Sequence, residues 1–305
     1  MPRTLLVLTA LTVLGAPSPA ADDAALFARA AANGRRFDEV VRSMQRLLHA
    51  WMGTADPRTG LLPERLPGLR GLKPGDPTRR FTPYNSGADL YPYLVLTAEF
   101  TDPGLFHGAL TDMLRNEIRY TTVLDSVPAN LDLNTGKPGP PNLFGAGEYA
   151  KDGLLAVTEL LGRTPWFFRM VDMTADLMKH APVETRFGNL PDSEAELNGD
   201  VLQSLARLIP MTGDRRFLEW AERIGDAYVE EILPASYGVP PSEWNFQAHT
   251  GDNKLHLRDH GNEMVVGLTL LYALEHDRGG EREPRYRRAV KRMLDRVLES
   301  ANPDG

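Results

Sequence analysis

The sequence predicts an all-α protein, an α/α toroid of helical hairpins, and three observations predict it. Apolar residues recur at helical spacing along most of the 305 residues, and strand-like alternation is scarce. Short connections alternate with long ones at a period of roughly fifty to sixty residues, so each repeat holds one hairpin. The first helix of each pair is apolar nearly all round and the second is amphipathic and charged, as inner and outer helices of a ring must be. A solenoid would expose its helices more evenly.

Taken in order, residues 1–20 read as an export signal. Arg3 supplies the charge, Leu5 to Leu14 is apolar or small, and Ser18-Pro19-Ala20 is a small-x-small cleavage site. That run is too short to span a bilayer as a helix, and no later stretch is long enough. A periplasmic or secreted protein is expected, with residues 21–305 as a single domain. A first helix is predicted over Phe37–Met52, with Val40, Val41, Met44, Leu47, Leu48 and Trp51 on one face. The next pair spans Ser86–Glu99, capped by Asn85 or Ser86, and Leu105–Thr121, announced by Asp102-Pro103. Helices over Glu148–Leu161 and Pro165–His180 follow, the second capped by Thr164. Pairs over Ser193–Met211 with Arg215–Leu233, and Asn262–His276 with Pro284–Ala301, complete the pattern. These pairs and a lone first helix fall short of a full (α/α)6 barrel. Asn302-Pro303-Asp304-Gly305 reads as a turn, so further hairpins are expected beyond it.

Composition narrows the chemistry. Cysteine is absent, which excludes disulfides, thiolate catalysis and cysteine-ligated metals. Net charge is −7, which gives no support to nucleic-acid binding, since that needs a basic face to neutralise phosphates. His249, His256 and His260 with Asp252 and Asp259 match no zinc-helix spacing, so neither a metal nor another cofactor is expected.

Acidic residues gather where the first helix of each pair begins, in Asn85-Ser86-Gly87-Ala88-Asp89-Leu90-Tyr91, Gly147-Glu148-Tyr149-Ala150-Lys151-Asp152-Gly153, Glu194-Ala195-Glu196-Leu197-Asn198-Gly199-Asp200 and Leu257-Arg258-Asp259-His260-Gly261-Asn262-Glu263. In these stretches the chain resembles the six-hairpin glycosidase-like superfamily of (α/α)6 toroids. That resemblance implies hydrolases and lyases acting on uronic-acid polymers, or sugar epimerases. It carries over no catalytic motif.

In a ring of hairpins the inner helices point the same way, so their acidic starts share one rim. Each acid alone is explained by the helix dipole, which favours an anion at an N-terminus by about 0.3–1 kcal/mol. Together they suit glycoside hydrolysis, which needs one protonated and one ionised carboxyl across the scissile bond. The catalytic candidates are Asp152, Asp200, Asp259 and Glu263, with His260 as acid/base. Asp89, Tyr91, Glu148, Tyr149, Asn198, Trp244 and Arg258 are the candidates for binding a carbohydrate substrate, the rings by stacking and the polar groups by bonding hydroxyls. Lyase or epimerase chemistry would instead use His260 and Arg258 on a uronate. A non-catalytic repeat protein would scatter its rim acids in solvent.

Overall fold

The computed structural model describes residues 20–66, 79–252, 254–257 and 261–302. Two units divide the chain, Met1–Leu47 and Leu48–Gly305. The described part of the first belongs to α1 (Ala20–Met52), in which Phe37, Val40, Met44 and Leu47 are exposed. This helix begins well before the expected Phe37, because Ala24, Ala25, Ala28 and Ala30–Ala32 are strong helix formers. The expected cleavage segment otherwise lies outside the described residues.

The second unit is built of hairpins. A π-helical segment, Pro83–Leu90, leads into α2 (Tyr91–Thr101). The return passes through α3 (Pro103–Leu105) and a π-helical turn to α4 (Thr111–Thr121). Then α5 (Leu143–Glu148), a π-helical segment Tyr149–Leu154 and α6 (Leu155–Leu161) form one continuous rod, answered by α7 (Pro165–Lys179). Next, α8 (Ala195–Thr212) pairs with α9 (Arg215–Ala227), which continues through a π-helical turn to α10 (Leu233–Ala235). Finally α11 (Glu263–Asp277) pairs with α12 (Glu283–Glu299). Helix predominates, as the apolar periodicity predicts.

Local chemistry explains the boundaries. Asp102 accepts a hydrogen bond from the Leu105 N–H, Asn142 from Gly145 and Asp214 from Arg216, each satisfying a donor the helix start would otherwise leave unpaired. Gly213 ends α8 at φ +69°, a left-handed conformation that costs glycine nothing. Two expected caps differ. Thr82, rather than Asn85 or Ser86, receives the Asn85 N–H, because the helix begins at Pro83. Thr164 makes no side-chain cap hydrogen bond. Pro165, the next residue, has no N–H to offer.

Successive inner elements are neighbours and lie parallel. The ideal Cβ position of Gly199 falls against the backbone of Glu263 and Met264, and that of Gly267 lies 3.1 Å from the Gly199 carbonyl and 3.1 Å from the Leu202 Cβ. Residue number rises on both helices together, so α8 and α11 run the same way, in contact through glycine. The Cβ position of Gly147 falls against Leu197 and that of Gly87 against the Tyr149 ring. These contacts align the starts of the inner helices.

A small antiparallel sheet fills the connection from α4 to α5. Its centre is β3 (Val127–Asp132), paired with β1 (Arg80–Phe81), β2 (Thr122–Leu124) and β4 (Lys137–Pro141). A second hairpin, β5 (Trp244–Asn245) with β6 (Thr250–Gly251), lies along the start of α8: Trp244 donates to the Ser193 carbonyl and Ala195 to that of Ser242. Among the described residues no helix is long and apolar enough to cross a membrane.

Candidate active site

Three inner elements deliver carboxylates to a single ammonium. Lys151 Nζ lies 2.9 Å from Asp152 Oδ1, 3.3 Å from Asp200 Oδ1 and 4.0 Å from Glu263 Oε1. Any two of these oxygens are therefore within about 8 Å of one another, inside the span over which glycosidase carboxyl pairs operate. Glu148, Lys151 and Asp152 share a helical face because they are three and four residues apart. Their helix is π-helical from Tyr149 to Leu154, a wider winding often found at functional sites. Asp200 comes from the second turn of α8 and Glu263 from the first turn of α11. The glycine contact at Gly199 brings those turns together, and the Gln203 side chain donates to the Glu263 carbonyl at 3.1 Å.

Burial grades the group. Asp200 is fully enclosed, Glu263 nearly so, and the Asp152 side chain is about a third exposed. Neither Asp200 oxygen, nor Oε2 of Glu263, receives a hydrogen bond from a described N–H or hydroxyl donor. Lys151 faces Asp200 at ion-pair distance but outside hydrogen-bond geometry, and the Glu148 carboxyl shares a hydrogen bond with that of Asp200. A proton on Glu148 satisfies both carboxyls at once. Burial, then the charges of Asp200 and Asp152, hold Glu148 far above the usual carboxylate range. Burial also raises Asp200, though the Lys151 charge opposes it. For Lys151 burial works against the charge, and Asp200 and Asp152 outweigh it, so the ammonium holds its proton more firmly than an ordinary lysine.

The structure thus brings together Asp152, Asp200, Glu263 and Glu148 from the sequence candidates. Lys151 was missed. The spacing Glu148, Lys151, Asp152 put all three on one helical face, and that was the signal that could have found it. Arg258, Asp259 and His260 lie outside the described residues. Asp89 is exposed, at the end of the segment Pro83–Leu90.

The expected binding aromatics need correction. Tyr91 is buried, its hydroxyl donating to the Leu110 carbonyl at 2.6 Å and accepting from Trp166 Nε1 at 2.8 Å. Tyr149 is fully enclosed as well. Both rings pack in the core, Tyr91 against Trp166 of α7, and neither is available to stack on a sugar. Asn198 is also buried and holds the loop before α8, donating to the carbonyls of Asp192 and Glu194 at 2.8 Å each. Trp244 is buried with its Nε1 on Glu231 at 3.2 Å, yet it borders a cavity of about 450 Å³ beside the start of α8. Phe246, Asn245, Gln247, Ser193 and Glu243 line the same cavity. Among the described residues no group of three His, Asp or Glu side chains is placed to hold a metal ion.

No family model and no curated protein matches the sequence. Solved structures do match in fold. An inactive variant of the α-1,6-mannanase GH76A of Salegentibacter sp. HEL1_6, in complex with α-1,6-mannotetrose, is 13% identical with a TM-score of 0.51, covering 86% of this chain and 71% of that one. The cellobiose 2-epimerase of Spirochaeta thermophila is 14% identical with a TM-score of 0.52 over the same shares. Hairpin order, parallel inner helices and these likenesses lead to one conclusion: the chain carries the helical α/α-toroid fold of these structures.

Proposed function

We propose that this protein is an exported carbohydrate-active enzyme that hydrolyses a glycan by carboxyl acid/base catalysis. One observation carries the reading: carboxyls from three inner helices converge on Lys151, beside Glu148, which burial and the charges of Asp200 and Asp152 push toward its protonated form. Hydrolysis of a glycosidic bond needs that asymmetry. Glu148 is assigned as the acid that protonates the leaving oxygen. Asp152, the most exposed of the carboxylates on Lys151, is its ionised counterpart, and Asp200 and Glu263 stand behind them. The cavity along β5 offers Phe246 and two amides, Asn245 and Gln247, suited to a sugar ring and its hydroxyls.

Lyase and epimerase reactions begin by removing a carbon-bound proton and need a neutral or anionic base. The charges of Asp200 and Asp152 strengthen the hold of Lys151 on its proton, which suits it poorly to that role, and His260, the base expected for such chemistry, lies outside the described residues. The experiment is turnover of neutral and uronate oligosaccharides, read by new reducing ends and by the ultraviolet absorbance of an unsaturated product. New reducing ends without that absorbance are expected. Glu148→Gln and Asp152→Asn should each fold and lose about 10²–10⁴-fold in rate. Full activity in both would mean that these acids only cap helices.

A further inference from the structure

The outer helix α12 carries two kinds of cation. Arg285 meets Asp226 and Glu230, Arg287 meets Glu283, Lys291 meets Asp295 and Arg296 meets Glu299, all at 2.5–2.6 Å. Arg288 and Arg292 have no carboxylate or hydrogen-bond partner among the described residues. They stand one turn apart, on the helical face that also carries Arg285.

That face borders a cavity of about 200 Å³ between α12 and the segment from Val229 to Gly238. Arg285, Arg288 and Arg292 line it together with Val229, Leu233 and Ala289, and no described carboxylate does. Arg285 spends its two terminal nitrogens on Asp226 and Glu230, but its Nε is enclosed and has no acceptor among the described residues. A donor left in that state is costly until something accepts from it. Gly238, at φ +83°, ends the cavity: its N–H donates to the Leu233 carbonyl at 2.9 Å, and its ideal Cβ position lies 3.3 Å from Arg292 Cδ. None of these residues belongs to the Lys151 group.

The lining selects a ligand by its chemistry. Guanidinium groups without an acid beside them, in a chain of net charge −7, call for an anion. Inorganic phosphate has no C–H surface to bury against Val229, Leu233 and Ala289. An alkyl acid has, but three guanidinium groups offer more donors than one carboxylate accepts. Hydroxyls on the ligand would use the remainder. The volume lies below the roughly 300–1,000 Å³ of pockets for drug-sized ligands, which suits one small molecule.

We propose that this cavity on the outer wall is a second binding site, apart from the Lys151 carboxyls, and that it takes a small hydroxylated carboxylate. NMR titration with glucuronate at low salt, where exposed charges are least screened, tests it. Signals of Arg288, Arg292 and the Arg285 Nε–H should shift and saturate. Arg288→Met and Arg292→Met strand no partner, so both should fold, and each should weaken binding about tenfold or more. Arg287→Met removes the same charge from outside the cavity and should leave the affinity unchanged. Glucose, lacking the carboxylate, should not bind there, and hexanoate and inorganic phosphate should bind more weakly than glucuronate. Equal affinity for any of the three would overturn the proposal, as would an equal loss in Arg287→Met or unmoved arginine signals. The titration needs no turnover: a chain that cleaves no glycan yet binds glucuronate here would refute the hydrolase reading alone.

Discussion

Glu148 is held protonated in a folded chain that would ionise it if unfolded, and that difference has a sign. Between the ordinary carboxylate range and its raised folded value, the native state holds a proton the unfolded state has released. Stability contributed by Glu148 is therefore full at low pH and lost as pH rises through that window. Glu148→Gln, which keeps the shape and carries no ionisable proton, should melt higher than the wild type, with the gap widening from acidic toward alkaline pH. Thermal melts across that range check it, and a constant gap would mean that Glu148 is not proton-linked to folding. If Glu148 is the acid proposed above, it carries this cost because the same burial that destabilises it gives it a proton to donate.

Among elements, the α8–α11 contact governs the site. A methyl group at Gly199 would meet the backbone of Glu263 and Met264, which cannot rotate away as a side chain can. Gly199→Ala should therefore cost about 1–3 kcal/mol through overpacking, and lower activity by separating Asp200 from Glu263. Gly34, in α1, has nothing within 4 Å of the added methyl, so Gly34→Ala should stabilise by roughly 0.5–1 kcal/mol through helix propensity alone. Denaturant melts of the two variants test whether close approach or backbone freedom decides. The helices were legible because period and all-round apolarity survive in the sequence. The sheet was not: β4 reads Lys137-Pro138-Gly139-Pro140-Pro141, a composition that belongs in loops and pairs here only at an exposed edge. Tyr91 and Tyr149 were legible as helix-start residues, but which way a ring turns from a helix start depends on neighbours far away in the chain.

At the scale of the folded unit, one ion pair ties distant segments together. Arg169 of α7 meets Glu117 of α4 through two hydrogen bonds, 2.9 and 2.7 Å, and reaches the Ser126 carbonyl at the turn into β3 at 2.6 Å. Both side chains are almost wholly buried. Desolvation cancels much of the attraction in such a pair, but removing one partner strands a charge. Arg169→Met should cost about 3–5 kcal/mol, and the double variant with Glu117→Leu should recover most of it. Denaturant melts measure both. A double variant no better than the single would mean that the guanidinium's bond to Ser126 outweighs the pair. Nothing in the local sequence of Glu117 or Arg169 announces this contact, since each lies on a helix whose charged face would ordinarily be in water.

Contact through glycine between α8 and α11 also bears on how such a pocket can diverge. Helices spaced by side chains shift by fractions of an ångström as those side chains grow or shrink, giving descent many small steps to explore. Helices that touch at Gly199 and Gly267 have no spacer to adjust. The separation of Asp200 from Glu263 is thus passed on whole or broken, and variation in what can bind nearby falls to the segments around it, above all the hairpin from Trp244 to Gly251.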